Sequence, residues 1–306
     1  MLWLPITVGA YFFLGVVAII DKKLLSRRIP EPISYAFYVG MLNIAALLLV
    51  PFGFQFLSYD ITLFALSAGI SFVIGIYFLY SALRHAEASR AVPIIGAITT
   101  IFILFFSTFL ARTYLTNTEL GAIALFIGGG LLLALKPEDD GEKQKSAIYS
   151  YVNTRVILMG LAAAFFFAVH LFLTKEVFKE TTFLSGFVWL RMGNVLAAIG
   201  ILLLPSARRI ILYTTEQLTP SSSGIFMANQ LMGATGNILL SFAIFLGPVT
   251  IINAVQGVQY FFIFLVALFL TAFYPRILKE IFSPQAILNK LVGILIIAGG
   301  FILLFL

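Results

Sequence analysis

The chain has 306 residues, 61% hydrophobic and only 10% charged, with 19 Lys and Arg against 13 Asp and Glu and no Cys. A soluble domain carries about 25% charged residues, so this composition excludes a water-facing globular enzyme, and equally a disordered or collagen-like chain. With a mean hydropathy of +1.07, the net charge of +6 reads as membrane-flanking Lys and Arg and not as a nucleic-acid surface.

A membrane-crossing helix needs roughly 20 mostly apolar residues. Ten such stretches are expected, at 3–20, 33–52, 61–83, 91–110, 119–135, 156–174, 183–204, 224–246, 249–272 and 287–306. Continuous apolar runs such as Ile101-Phe102-Ile103-Leu104-Phe105-Phe106 do not alternate, which excludes a β-barrel. The first stretch lacks a basic leader and a small-residue cleavage pattern before Asp21-Lys22-Lys23, so a retained helix is expected. Most connections are short. The one long polar linker, 137–153, contains Pro137 and Gly141 and divides a first unit, 1–136, from a second, 154–306.

The charges are sorted along this frame. The acidic residues fall in loops or at span ends, and of the basic residues only Arg191 lies well inside a span. The odd-numbered loops hold 15 Lys and Arg, and the even-numbered loops hold Arg112, Lys175 and Lys179. The positive-inside rule then places the odd loops in the cytoplasm and both termini outside.

The two units also match one another. Phe12-Phe13-Leu14-Gly15-Val16 with Lys22 aligns with Phe165-Phe166-Phe167-Ala168-Val169 with Lys175. Pro51 aligns with Pro205; Gly75, Ala82 and Gly96 align with Gly236, Ala243 and Gly257; and Gly121-x6-Gly128 aligns with Gly293-x6-Gly300. Five spans is an odd number, so the second copy enters the membrane from the opposite side. The expected fold is an all-α membrane protein of ten transmembrane helices, built as two inverted five-helix repeats. Secondary transporters use that architecture for alternating access, with a site near the midplane between the copies.

Several of these motifs carry a resemblance to the drug/metabolite transporter superfamily, and within it to the EamA-like ten-helix transporters. They are Gly15-x6-Lys22 and Ala168-x6-Lys175 closing the first span of each unit, Ser81-Ala82-Leu83 leading through Ala88-Ser89-Arg90-Ala91-Val92-Pro93, Glu119-Leu120-Gly121-x6-Gly128, and Arg191 early in a second span. The resemblance covers nearly the whole chain. It implies an exporter or exchanger of small metabolites that needs no ATP. It also implies cytoplasmic termini, the reverse of the orientation that the charge bias gives.

Polar side chains in hydrocarbon are costly and usually face a cavity or another helix. Arg191 is the sharpest case, because its planar fork suits a carboxylate or phosphate; Asn194 follows at i+3 on the same face. His170 is a candidate for proton coupling, although a lone His at this depth is more often a neutral hydrogen-bonding group. Gln230, Asn237 and Ser241 form one polar stripe, and Asn253, Gln256 and Tyr260 form another on the next span. Two such stripes can line a shared cavity. The first half offers Tyr77 and Tyr80, whose commoner role near a span end is anchoring at the interface.

A secondary transporter of small polar or amphipathic metabolites is therefore expected, with a site leaning toward the second half. A lipid flippase or scramblase is the alternative. An intramembrane enzyme lacks its constellation, since His85 and His170 are the only His residues. No catalytic residue, metal or cofactor is expected. The expected partners are the lipid bilayer and a small-molecule substrate, anionic where it meets Arg191, with the chain a monomer or homodimer in the plasma or inner membrane.

Overall fold

A computed structural model describes residues 1–27, 31–85, 88–134, 154–216, 220–273 and 284–305. The linker 137–153 lies outside them. Among the described residues the chain is all helical. The elements are α1 (Trp3–Arg27), α2 (Pro32–Leu42) continued by a 3₁₀ segment (Asn43–Phe52), α3 (Tyr59–Leu83), α4 (Ala88–Phe109), α5 (Asn117–Ala134) and α6 (Thr154–Glu180). They continue with α7 (Phe183–Leu203), α8 (Pro205–Glu216), α9 (Pro220–Leu246), α10 (Val249–Ala254), α11 (Gly257–Phe273) and α12 (Pro284–Leu304). Among the described residues eight spans are long and apolar enough to cross a membrane, and the apolar stretches Asn117–Leu133 and Leu291–Leu304 are shorter. Large apolar side chains also face outward, with Leu231 68%, Leu295 71% and Ile302 65% exposed. Water would penalise that surface and lipid would not, so this is the build of a multi-pass membrane protein.

Local chemistry sets several helix ends. Thr116 and Glu119 form a reciprocal cap on α5: the Thr116 amide donates to Glu119 Oε2 at 2.8 Å, and the Glu119 amide donates to Thr116 Oγ1 at 3.2 Å. Thr182 caps α7 by accepting from the Ser185 amide. The second expected span is helical in two parts. Pro51 lies near the end of the 3₁₀ segment, and Gly53 closes it at φ +107°, a conformation that favours glycine.

The packing is reciprocal between the two units. α6 lies along α3 and α4, while α1 lies along α9 and α11; α5 pairs with α12, and α7 packs on α2 and α3. Glycines bring these helices close, as small residues do in membranes. A methyl on Gly69 of α3 would stand 2.6 Å from both the Asn194 nitrogen and Gly193 Cα of α7. Gly129 and Gly293 play the same part between α5 and α12, where an added methyl would lie 2.8 and 2.9 Å from the facing carbonyl oxygens. Of the matched glycines Gly121, Gly128, Gly293 and Gly300, all but Gly128 face a neighbouring helix within 4 Å.

Candidate functional site

Three polar groups interrupt this apolar packing. The first centres on Asp21. α1 continues past Asp21 to Arg27, so this carboxylate lies within the helix and not at its end. Tyr35 of α2 and Asn229 of α9 both donate to Asp21 Oδ1, the amide at 2.6 Å, and Tyr80 of α3 donates to Oδ2 at 2.9 Å. Gln230 Nε2 donates to the Tyr35 hydroxyl at 3.5 Å, and the two tyrosine rings lie 4.4 Å apart. One carboxylate thus accepts from three other helices. Charge-assisted hydrogen bonds of this kind are about twice as strong as neutral ones, which makes Asp21 a junction for α1, α2, α3 and α9.

The second group surrounds Arg191 of α7. This residue is 7% exposed. Its Nη2 donates to Ser241 Oγ of α9 at 3.3 Å, and its guanidinium lies 4.5 Å from the Phe187 ring centre. A guanidinium carries five donors, and among the described residues Arg191 has no acidic partner. Asn194, one turn along, is 1% exposed, and neither its amide nitrogen nor its oxygen has a hydrogen-bond partner among the described residues. His170 of α6 donates from Nδ1 to the Ala68 carbonyl at 2.9 Å and lies within electrostatic reach of Arg191. That bond fixes the Nδ1–H tautomer. Thr174, one turn further on α6, also has a buried oxygen without a partner. Buried polar groups are normally satisfied, so the unmatched donor and acceptor of Asn194 beside Arg191 make this a candidate for a polar ligand; at the Asp21 junction Asn229 Oδ1 is likewise without a partner among the described residues.

The third group lies where the ninth span breaks. α10 ends at Ala254 and α11 begins at Gly257. The turn between them is held by short-range bonds, from the Gln256 amide to the Asn253 carbonyl at 3.0 Å and from the Val258 amide to the Val255 carbonyl at 2.9 Å. Irregular backbone inside a membrane is tolerated only where protein or a water-filled cavity meets it. A small cavity of about 10 Å³, room for about one water, adjoins the break, lined by Gly96, Thr100, Gly130, Asn253, Gln256 and Tyr260 among others. Asn253 donates to Thr100 Oγ1 at 2.8 Å, Gln256 to Gln259 Oε1 at 3.3 Å, and the Tyr260 hydroxyl to the Val92 carbonyl at 3.3 Å.

The residues singled out in the sequence are therefore distributed. Arg191, Asn194 and Ser241 lie together with His170 near them. Asn253, Gln256 and Tyr260 share the cavity, and Tyr80 and Gln230 belong to the Asp21 junction. Asn237 donates to the Gly233 carbonyl of its own helix at 2.9 Å, and Tyr77 packs edge-on against Phe78. The two amide stripes meet different helices: Gln230 and Ser241 bond to α2 and α7, whereas Asn253 bonds to α4 and, with Gln256 and Tyr260, lies against α5. Sequence reasoning places Asp21 at a span end and does not single out Tyr35 or Asn229 as site residues, and it misses the break at 255–256. The adjacent Gln256-Gly257 inside an apolar span was the signal for that break.

No family model matches the chain, and no curated protein matches it. A solved structure named only "Crystal structure of protein" superposes with a TM-score of 0.64 at 16% identity, covering 96% of this chain and 92% of that one. This likeness concerns the fold alone.

Proposed function

We propose that the chain is a secondary transporter of small polar or amphipathic metabolites, built from ten spans as two inverted five-helix repeats that alternate access to a central site. The observation that carries this reading is a contact made twice. Gly75 of α3 faces Phe167 of α6, where an added methyl would lie 2.8 Å from the ring; Gly236 of α9 faces Leu14 of α1, where it would lie 3.0 Å from Cγ. Gly75 matches Gly236 and Phe167 matches Leu14 in the aligned halves, which supports reading the two contacts as one interface in two copies. The exchange of packing partners between α1 and α6 supports the same symmetry.

The span-nine break and the under-satisfied Arg191 cluster fit the known use of discontinuous helices at transporter binding sites. Arg191 and Asn194 supply a fork of donors and an amide that both gives and accepts hydrogen bonds. A substrate carboxylate or phosphate matches that set. The motif resemblance to the EamA-like drug/metabolite transporters also supports a transporter; it implies cytoplasmic termini, whereas the bias of basic residues supports termini outside.

The test is flux in proteoliposomes across a panel of amino acids, nucleosides, sugars and organic anions. A protein-dependent flux that follows an imposed gradient without ATP is expected. Its absence across the whole panel would reject the reading.

A further inference from the structure

We propose that α8 is a docking surface for the headgroups of anionic phospholipids, and that it passes their occupancy to α2. The helix leaves α7 at Leu204, whose extended backbone ends the span, and restarts at Pro205. Only one stripe of α8 is buried, at Ala207, Ile211 and Thr214, which is the i, i+4, i+7 spacing of a helix resting on a surface. Arg208 and Arg209 project from the remaining circumference and are exposed, and neither is in an ion pair among the described residues. Around them the apolar side chains are also outward, with Leu204 55%, Leu212 52% and Tyr213 64% exposed.

A short helix with a basic pair, an aromatic and exposed leucines directly after a membrane span has the chemistry of an interfacial helix. Lipid acyl chains cover the leucines, and the Arg forks match phosphate diesters at the same depth. On the proposed ten-span arrangement this segment belongs to the face that would carry 15 of the 19 basic residues, which the positive-inside rule makes cytoplasmic, where anionic lipids make the surface potential negative. A free phosphate would satisfy the arginines but leave the apolar surround exposed to water, so the bilayer headgroup is the better occupant.

Hydrogen bonds lead from this surface inward. Thr214 and Thr215 each spend their single hydroxyl proton on their own helix, donating to the Ile210 and Ile211 carbonyls at 2.8 and 2.7 Å. They therefore accept from α2: Ser34 donates to Thr214 at 3.1 Å, and Tyr38 donates to Thr215 at 2.7 Å. Tyr35, between those two donors in α2, holds Asp21. The position of α8 thus bears on the four-helix junction through a single short helix. This holds whether or not the chain transports a solute.

Hydrogen exchange on the full chain in nanodiscs tests it, comparing phosphatidylcholine alone with phosphatidylcholine plus phosphatidylglycerol. The anionic lipid should slow exchange in both α8 and α2, by on the order of tenfold for two arginines at the surface. The variant Arg208→Ala/Arg209→Ala should lose the protection in both helices. Tyr38→Phe with Thr214→Val should keep it in α8 and lose it in α2. Soluble glycerol phosphate added to the phosphatidylcholine discs should produce none. Protection that is equal in the wild type and the double arginine variant, or that glycerol phosphate reproduces, would overturn the lipid site. Loss in α2 that does not follow the second variant would overturn the relay.

Discussion

Asp21 and Arg191 are both charged side chains set into apolar helices, yet their surroundings are opposite. Their partners on α9, Asn229 and Ser241, are separated by about 18 Å of helix rise. Asp21 accepts from three helices. Arg191 gives one hydrogen bond to a neutral hydroxyl, and beside it both amide atoms of Asn194 are unmatched. In the proposed repeat the two regions correspond, with Asp21 matching Thr174 and Tyr80 matching Ser241. Asp21 is a junction at one end, and beside Arg191 at the other the Asn194 amide is unmatched among the described residues. A satisfied charge holds helices together, whereas an unsatisfied one favours a ligand over an empty site.

That contrast can be broken by mutation. Arg191→Leu should have the largest effect, lowering affinity for an anionic solute on the order of 100-fold, as loss of a buried charged contact does. The melting temperature should hold, because among the described residues Arg191 has one long hydrogen bond and one ring contact in return for its burial. Asp21→Asn should do the reverse. It weakens three charge-assisted bonds at once and should lower stability by about 2 kcal/mol, read as a fall in melting temperature. Asn194→Leu should leave stability unchanged or raise it by up to about 1 kcal/mol, since it removes a buried group with no partner. Solute binding should fall in the same variant. Gln230→Ala should be the mildest, near the 0.6 kcal/mol average of an interhelical bond in a membrane. If Asn194→Leu destabilised as strongly as Asp21→Asn, the distinction between the two regions would be lost.

Much of the helical frame was legible, because each expected apolar stretch overlaps a helix. Length and lipid-compatible composition are local properties of a chain. The interruptions were less legible. α8 was read as a loop because Arg208 and Arg209 ended the apolar run, and periodicity over twelve residues is a weak signal beside a span. Asp21 was assigned to a charged span end by the neighbouring Lys22 and Lys23, although α1 continues to Arg27. Its partners lie 14, 59 and 208 residues away in the chain, and no local pattern brings them together. Arg191 was visible for the opposite reason: a single charge within an apolar run stands out whatever packs around it. The sequence therefore exposed the unsatisfied group and concealed the satisfied one.

Side-specific labelling tests the proposed alternating access between matched halves most directly. The chain has no cysteine, so a single cysteine at Tyr80 or at Ser241 reports without background in oriented proteoliposomes. The account predicts that a transported solute changes the two accessibilities in opposite directions, each from its own face of the membrane. Accessibilities that rise or fall together, or that any active solute leaves unmoved, would contradict it.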